Sequence, residues 1–564
     1  MSLAFSYSTK IPGFDPLSYV VNRDWPGAYE RKFHRKVPSR LAYVEENPDL
    51  DSRAWGLLVK PSMTAVSWSK LLLDPENDPE IHAEMNRLCS EGIMRIPNNK
   101  DSVVVVSDYL AEIYRAVCSK LEGQNSRSVD FWLAVPAAWS EQARARLRDA
   151  ATHAGFGGRP GDALHLVTEP EAAMSYFLHL ESSIGSSLSA KQGECVIICD
   201  YGGGTVDVAA YLIENENPVT YRELTVSGGE FYCQIILICS MSGNTCGSTA
   251  VDRLFYKFME ETFGDAFIGL EPRLKGPGSF LMESFEKVKK RVHTLQPDEK
   301  VIISLSSGTG QGVRNSGLEE LKISGDQLMS FMKPVVINIC EIILSQIEAI
   351  YKKNLPRNGY ITAGFLSPNT SIHRYVDLWH TSVTYLQTDV AIGAALLGAK
   401  VAHRPKNGVC RQHYGFKTHR LYDPLTDSRS EAYRDHFNGL ELVANEVSWD
   451  FEKGQECEKD LHKERKIVFT HDGKDVAYMT IPILGSRADI APVLHNSEGV
   501  HLVALIPCDF SHFDISRFQH YKKERDVIYK IELLIKMTFE EDEGRLRFRA
   551  FAFEHPVGEV AIRV

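Results

Sequence analysis

The chain has 564 residues, of which 43% are hydrophobic and 24% charged, as is typical of a soluble globular protein with more than one domain. Its net charge of -11 disfavours nucleic acid and anionic membranes as partners. No run reaches the ~20 apolar residues that span a bilayer, and the start has no signal-peptide pattern. The eleven cysteines are scattered and form no C-x-x-C pair, so we predict no disulfide framework and no zinc site, and we expect a cytoplasmic protein.

Segments typical of strands and of helices alternate over residues 1–400, which predicts an α/β domain. Apolar residues at helical spacing predict a helix over 107–121. The strand FWLAVPA precedes a second helix, with Ser140 as its N-cap and Gly155 just past its end. A long helix is predicted over 328–353, where Pro334 fits only near the start.

The sequence changes in character after residue 400. The polar stretch HRPKNGVCRQ predicts a linker over 401–412. Strand candidates such as KIVFTHDGKDVAYMTIPIL, VHLVALIP and RLRFRAFAF follow it, so we predict a smaller β-rich domain over 413–564. The HDGK sequence between two apolar runs predicts a hairpin.

The stretch CVIICDYGGGTVDVAAYLI places three glycines between two apolar runs. Asp200 closes a run that is apolar on both faces, which predicts a strand in the middle of a sheet. The glycines that follow should adopt backbone angles that other residues avoid, and should turn successive N–H groups toward phosphate oxygens. Thr205 adds a hydroxyl donor. The glycines are Gly202, Gly203 and Gly204.

Two carboxylates flank these glycines. Asp200 and Asp207 would repel a phosphate alone, but they suit a site in which a hard cation such as Mg²⁺ lies between acid and phosphate. The residues thus allow two interpretations. One is a phosphate-binding hairpin with a metal-facing acid, and the other is a glycine hairpin with incidental acids.

The string D-x-G-G-G-T-x-D at 200–207 resembles the second phosphate motif of the actin-like ATPase superfamily, which includes actin, sugar kinases and the 70-kDa heat-shock chaperones. Other segments resemble the chaperone branch, in the expected order. VSWSKLLLDP is similar to the segment with the catalytic lysine, here Lys70, and LVTEPEAA to the acid turn, here Glu169. DVAIGAALLGA is similar to the second connecting helix. Over residues 5–400 the chain is therefore identified as a divergent member of the heat shock protein 70 family.

Two further segments resemble the parts of that family that contact adenosine. FEKVKKRV is similar to the helix that flanks the nucleoside, and YITAGFLSPN to a glycine turn beside it, although Ala363 stands where the family usually has a glycine. The resemblance implies that the adenosine of ATP is bound by Glu286, Lys289, Lys290 and Gly364.

The resemblance implies a two-lobed actin-like ATPase fold of ribonuclease H-like lobes, with ATP and Mg²⁺ at the bottom of the cleft. Asp200 would hold the Mg²⁺ ion through water, and Glu169 would fix the waters of the metal. Thr205 would contact the γ-phosphate, and Lys70 would stabilise the charge that develops on it. Asp207 would support the site from the far side of the hairpin.

The sequence departs from the family pattern in several places. MSLAFSYS resembles the strand that follows the first phosphate loop of the family, so we expect that loop to be absent and ATP hydrolysis to be weak. Residues 229–242 interrupt the pattern and are either a gene-model error or a functional loop. HRPKNGVCRQ lacks the apolar interdomain linker, and the region after it resembles relatives without a helical lid.

Other interpretations stay open. Taken alone, Lys70 is compatible with a surface lysine, Glu169 with an acid at a helix start, and Lys289 and Lys290 with a solvated helix face. The competing functions are a small-molecule, sugar-type kinase in which Glu169 is the general base, and a non-catalytic interaction module. The expected partners are ATP, ADP and unfolded client polypeptides. The sequence identifies no particular client.

Overall fold

A computed structural model divides the chain into two compact units, the first comprising Met1–Val219 and Val226–Arg404 and the second Thr220–Thr225 and Pro405–Val564. The residues described are 2–3, 6–8, 19–28, 35–74, 79–90, 97, 100–121, 128–137, 139–184, 191–216, 219–227, 248–292, 295–304, 320–353, 359–364, 383–386, 389–399, 405, 407–425, 427–430, 432–435, 437–471, 477–523, 526–540 and 544–563. The predicted insertion at 229–242 lies outside the described residues.

The first unit has the mixed α/β structure that the sequence predicts. Its described α-helices are Pro79–Ser90, Ser102–Lys120, Glu141–His153, Glu169–Ile184, Ser248–Phe263, Asp265–Ile268, Pro272–Lys275, Phe280–Lys289, Gly325–Lys352 and Asp389–Gly398. Its described strands are Ser2–Leu3, Ser6–Ser8, Tyr19–Val21, Val37–Pro38, Arg40–Ala42, Ala54–Trp55, Val66–Ser67, Asp130–Val135, Ala163–Thr168, Cys195–Tyr201, Val206–Glu216, Lys300–Ser304, Glu320–Ser324, Gly359–Gly364 and Val383–Leu386. A further strand, Val219–Ser227, is divided between the two units. Short 3-10 helices lie at Val44–Glu46, Gly56–Leu58 and Ser69–Leu73.

The strand Cys195–Tyr201 lies inside a sheet, as its apolar sequence predicts. It is antiparallel to Val206–Glu216 on one side and parallel to Gly359–Gly364 on the other. Gly359–Gly364 is parallel in turn to Val383–Leu386. Residues 195–199, both cysteines included, are buried, since a strand covered on both faces is apolar throughout.

A smaller sheet pairs the parallel strands Asp130–Val135 and Ala163–Thr168. The helix that connects them, Glu141–His153, begins at the predicted N-cap, because Ser140 Oγ accepts a hydrogen bond from a first-turn N–H at 3.1 Å. The helix ends just before Gly155, whose φ of 108° is in the left-handed region. Both predicted helix boundaries are confirmed, because capping chemistry is local to the sequence.

The long helix Gly325–Lys352 begins earlier than predicted, so Pro334 lies in its interior. The packing of its buried face, which includes Phe331, Val335 and Ile339, outweighs the hydrogen bond that proline removes. Among the described residues this one helix is long and apolar enough to cross a membrane, although the sequence predicts no such segment. Its most apolar window is 56% buried within the fold, as in the core helix of a soluble protein.

The second unit is built from strands, with one 3-10 turn at Ile515–Arg517 and no α-helix among its described residues. Its strands are Gly408–Val409, His413–Leu421, Ala432–Arg434, Glu441–Phe451, Glu456–Cys457, His462–His471, Tyr478–Ser486, Val500–Asp509, Gln519–Lys523, Asp526–Glu540, Arg545–Ala552 and His555–Arg563. Ile483, Ile506, Ile531 and Phe548 are among the fully buried residues of its core.

The predicted hairpin around HDGK is wrong. His462–His471 pairs with Asp526–Glu540, whereas Tyr478–Ser486 pairs with Val500–Asp509. The two strands therefore lie in different parts of the sheet, and the residues 472–476 between them are outside the described part of the chain.

Part of the predicted linker belongs to the fold of the second unit. Gly408–Val409 pairs with Glu456–Cys457, and Asn407 is buried. The side chain of Asn407 accepts the Glu223 N–H at 2.8 Å and donates to the Glu223 C=O at 2.9 Å. These two hydrogen bonds connect residues 220–225 to the rest of the second unit, although the two segments are distant in the sequence.

Candidate functional site

The predicted phosphate motif forms a β-hairpin. Cys195–Tyr201 pairs with Val206–Glu216, and residues 202–205, here named the glycine turn, connect the two strands. The register places Asp200 directly opposite Asp207. Two acids and the glycine turn therefore meet at one end of a buried pair of strands.

The glycine turn differs from the prediction in its backbone angles. None of its three glycines has a positive φ, so the expectation of left-handed angles is wrong. A Cβ at Gly202 would lie 3.1 Å from the Thr205 carbonyl oxygen, to which the Gly202 N–H donates at 2.9 Å. Within the described part of the chain, no hydrogen bond reaches the N–H of Gly203 or Gly204. These two N–H groups are therefore available to a ligand.

A helix holds the carbonyl groups of the glycine turn. The first two N–H groups of Ser248–Phe263 donate to the turn, Ser248 to the Gly202 oxygen at 3.2 Å and Thr249 to the Gly203 oxygen at 2.9 Å. The partial positive charge of this helix N-terminus thus lies beside the turn. The arrangement fixes the turn through its carbonyls and, within the described residues, leaves the N–H groups of Gly203 and Gly204 unpaired.

Three carboxylates are close enough to perturb one another. Burial, and next the charge of Glu169, raise the pKa of Asp200 to about 6, while Lys36 and Lys70 oppose the rise. Burial, Glu169 and Asp200 raise the pKa of Asp207 well above its usual range. Burial is the larger cause for both aspartates, and the charges of the neighbouring carboxylates add to it.

Asp207 is 1% exposed and has a single hydrogen-bond partner among the described residues. Its Oδ1 accepts the Ala137 N–H at 2.6 Å, and its buried Oδ2 has no partner among the residues that the structure describes. A buried carboxylate oxygen without a donor is costly, which agrees with the raised pKa of Asp207.

Lys70 contacts the predicted acid turn. It lies in the 3-10 helix Ser69–Leu73, and its Nζ is 2.6 Å from Glu169 Oε1 and 5.3 Å from the centroid of the Trp139 ring. Glu169 follows the strand Ala163–Thr168 directly and begins the next helix. The Lys70 side chain stays 32% exposed and that of Glu169 11%, so the pair lies at the edge of the site rather than in the core.

Gly364 lies next to Asp200. The two are register partners on parallel strands, each in the last pair of its ladder. The carboxyl ends of parallel strands form the edge at which ligands bind in α/β sheets. The adenosine turn predicted from the sequence is described only up to Gly364, and residues 365–369 lie outside the described part of the chain.

The remaining predicted residues form a separate charge cluster. Lys289 Nζ lies 2.7 Å from Asp252 and 2.6 Å from Glu286, and Lys290 Nζ lies 3.3 Å from Glu286. Burial opposes the charge of Lys289, but Asp252 and Glu286 outweigh it, and the pKa of Lys289 is raised. Asp252 follows Thr249 on the helix that holds the glycine turn, so the same helix serves both clusters.

The sequence analysis missed three contributors to the site. Nothing local marks Asp252 as the partner of Lys289, or Lys36 as a charge near Asp200, because each pair joins distant parts of the chain. The Ala137 N–H had a weak signal, since VPAAW follows a predicted strand and precedes the Ser140 cap.

A divalent cation suits the chemistry of these groups. Asp200, Glu169 and Asp207 supply hard oxygen donors, which Mg²⁺ prefers, and a cation beside Asp200 and Asp207 would oppose the rise that burial and the neighbouring carboxylates cause in the pKa of these two aspartates. Among the described residues, no group of three acidic, histidine or cysteine side chains is placed to ligate a metal directly.

Comparisons with known proteins give no family for this chain. No protein-family model matches it, and no curated protein is significantly similar to it. Any function proposed for the chain therefore depends on the motifs and on the geometry described above.

Proposed function

We propose that the chain is an ATP-binding, chaperone-like protein of the heat shock protein 70 family, in which the first unit is a two-lobed, actin-like nucleotide-binding domain. The observation that carries the proposal is the glycine turn. Its Gly203 and Gly204 N–H groups have no partner among the described residues, and Asp200 and Lys70 are close enough to interact electrostatically. Free amides beside carboxylates and a lysine are the groups that a Mg²⁺-bound phosphate chain requires.

The residues of the turn would bind and orient the terminal phosphates. The Gly203 and Gly204 N–H groups and the Thr205 hydroxyl would donate to phosphate oxygens. Lys70, held by Glu169 at 2.6 Å, would stabilise the negative charge that develops when the γ-phosphate leaves. Mg²⁺, when bound, would neutralise charge on the phosphates. Asp200 would accept hydrogen bonds from the metal's waters and from the attacking water.

The adenosine would lie beyond the phosphates, toward the second cluster. Gly364 supports this direction because it is the register partner of Asp200. Lys290 is 63% exposed and is the more accessible of the two lysines, whereas Lys289 is held by Asp252 and Glu286. The role proposed for Lys289 is to position Glu286 rather than to contact the nucleoside itself.

The second unit would bind client polypeptides. Among its described residues the most exposed large apolar side chains are Leu425 and Ile490, on connections between strands, at 92% and 86%. Each is proposed as a contact for an apolar residue of an extended peptide. Titration of a fluorescein-labelled heptapeptide rich in leucine tests this by anisotropy, and the absence of a signal change at saturating protein would refute it.

A sugar-type kinase is less well supported. In that reading Glu169 removes a proton from a substrate hydroxyl. Its Oε1 is engaged by the Lys70 ammonium at 2.6 Å, so the group proposed as the base is already paired. A phosphorylated sugar or polyol in a product screen would nevertheless overturn the chaperone proposal.

Calorimetric titration tests the proposal. We expect heat on addition of ATP with Mg²⁺, and a smaller affinity in Lys70→Ala for ATP but not for ADP, because Lys70 is proposed to act on the γ-phosphate. Lys120→Ala removes a lysine from an exposed pair with Asp24 and should leave both affinities unchanged. No heat and no thermal shift in the unaltered chain would reject nucleotide binding and favour a non-catalytic interaction module.

A further inference from the structure

Trp68 adopts a backbone conformation that a large side chain rarely takes. Its φ of 62° and ψ of 15° are left-handed. Among the described residues other than glycine, only Phe553 and Glu554 share a positive φ, and both lie in a tight turn between two strands. Trp68 is in no such turn, and its conformation persists only if the surrounding packing requires it.

The packing around the Trp68 ring is specific. The residue is 4% exposed, and its ring meets that of Tyr256 edge-on, with centroids 6.5 Å apart and planes at 67°. Tyr256 is fully buried and its hydroxyl donates to the Lys275 C=O at 3.0 Å. The partner ring is thus fixed from its far side, and the edge-on geometry is one that aromatic pairs favour.

This ring contact joins the two halves of the candidate site. Trp68 precedes the 3-10 helix that carries Lys70, and its C=O accepts the Leu71 N–H at 2.9 Å. Tyr256 belongs to the helix Ser248–Phe263, whose first N–H groups hold the glycine turn. The contact therefore links the element that carries the lysine to the element that holds the phosphate-binding amides.

We propose that Trp68 is a positioning residue for Lys70. Its ring, wedged against Tyr256, sets the start of the 3-10 helix and thereby holds the Lys70 ammonium on Glu169 and near the glycine turn. The proposal rests on the proposed function for its link to ATP. The placement of Lys70 itself can be measured without any nucleotide, so the two proposals can fail separately.

The first test measures the accessibility of the Lys70 amine by acylation with an N-hydroxysuccinimide acetate and peptide mass spectrometry, without nucleotide. The contact of Nζ with Glu169 Oε1 at 2.6 Å restricts the access of the reagent to the amine, so labelling should be slow. We expect Trp68→Leu to label Lys70 about three- to tenfold faster than the unaltered chain, the factor that corresponds to loss of an aromatic pair. Trp68→Phe, which keeps a ring, should restore slow labelling. The exposed Lys290 serves as the internal reference.

Two further variants separate positioning from general packing. Trp55 is also buried and makes edge-on contacts with two rings, but none of its ring partners belongs to the candidate site. Trp55→Leu should lower thermal stability and leave Lys70 labelling unchanged. Trp68→Asn removes the ring while tolerating the left-handed conformation, so it provides a variant for the case in which Trp68→Leu does not fold.

The second test compares affinities for ATP and ADP with Mg²⁺. We expect Trp68→Leu and Trp68→Asn to weaken ATP about three- to tenfold and to change ADP little, since Lys70 is proposed to act on the γ-phosphate. Unchanged Lys70 labelling in a folded Trp68 variant would overturn the positioning role. Faster labelling in a chain that binds no nucleotide would confirm that role and reject the proposed function instead.

Discussion

Asp200 and Gly364 are register partners on two parallel strands, although their motifs are far apart in the sequence. On the other side of the same strand, Asp200 faces Asp207 across the antiparallel hairpin. One sheet edge thus unites the acid of the phosphate motif, its partner acid and the start of the predicted adenosine turn. The site is therefore an outcome of strand order.

Asp200→Asn should stabilise the chain at neutral pH. Burial and Glu169 raise the pKa of Asp200 to about 6, so its protonated form favours folding. That contribution is fully present below the unfolded aspartate pKa of about 4 and is lost as pH rises through about 6. We therefore expect the melting temperature of Asp200→Asn to exceed that of the unaltered chain at pH 7 by about 2 °C or more, and the gap to close at pH 4.

The same substitution should weaken nucleotide binding, because the charge that destabilises the free chain is the charge proposed to hold Mg²⁺. We expect Asp200→Asn to bind ATP with Mg²⁺ about tenfold more weakly or worse. Differential scanning fluorimetry measures the change in melting temperature, and calorimetry measures the change in affinity for ATP with Mg²⁺, on the same preparation. An unchanged melting temperature at pH 7 would contradict the inference that the charged form of Asp200 destabilises the folded chain.

Lys70 and Glu169 should be energetically coupled. Removing Lys70 leaves a largely buried carboxylate near two others, so Lys70→Met should destabilise the chain more in the presence of Glu169 than in Glu169→Gln. A double-mutant cycle in urea should give about 1–3 kcal/mol of coupling. The exposed pair Lys120–Asp24 is the matched control, for which we expect less than about 1 kcal/mol. Equal coupling in both pairs would show that Lys70–Glu169 is an ordinary surface ion pair.

Gly393→Ala should be strongly destabilising. A Cβ at Gly393, in the helix Asp389–Gly398, would lie 1.6 Å from the Ala172 carbonyl oxygen in the helix that begins at Glu169. The clash is with backbone, so the two helices must separate, and we expect a loss of about 3 kcal/mol or more. The reverse change on the same helix, Ala395→Gly, should cost only about 1 kcal/mol. Comparable urea midpoints for the two variants would refute this close helix contact.

His413 should make part of the second unit sensitive to acid. It is 4% exposed, its Nδ1 accepts the Lys453 N–H at 3.1 Å, and its Nε2 lies 2.9 Å from the Ala488 C=O. A neutral ring with its proton on Nε2 satisfies both partners. Burial lowers the pKa of His413, so its contribution to stability is present above the unfolded pKa of about 6.5 and is lost as pH falls through the lower, folded value.

Hydrogen exchange at the Lys453 amide measures this effect locally. The charged groups that influence the ring are Glu452 and Asp489, which favour protonation, and Lys453, which opposes it. Relative to pH 7.5, and after correction for intrinsic rates, exchange of peptides spanning Lys453 should accelerate below pH 6.5. Peptides from the core strand 531–539 should not change. Equal protection at pH 7.5 and below pH 6.5 would contradict the acid-linked loss of this hydrogen bond, because a protonated ring has no nitrogen lone pair to accept the Lys453 N–H.

Local features of the fold were predictable from the sequence. Ser140 and Gly155 lie at the two ends of their helix, as predicted, because a helix cap is formed by residues that are neighbours in the sequence. The apolar run before Asp200 predicted a strand in the interior of a sheet, since a strand buried on both faces needs no polar alternation. Residue type and spacing carry this information directly.

Relations between distant segments were not predictable in the same way. The HDGK hairpin was wrong because the pattern of a strand does not state its partner, and His462–His471 pairs with Asp526–Glu540 instead. The glycine turn was right in place and wrong in backbone angle. Asp252 was missed because its role is to pair with Lys289, which lies on another helix and comes close only in the folded chain. The predicted site residues are therefore the ones marked by motifs, and their partners emerge only from the fold.

The most direct test of the account is an experimental structure of the full chain with Mg²⁺ and a non-hydrolysable ATP analogue at saturating concentration. The account predicts density for the terminal phosphates within hydrogen-bonding distance of the Gly203 and Gly204 N–H groups, with a hydrated cation between the phosphates and Asp200. Phosphate density elsewhere, or an unoccupied glycine turn under these conditions, would contradict it.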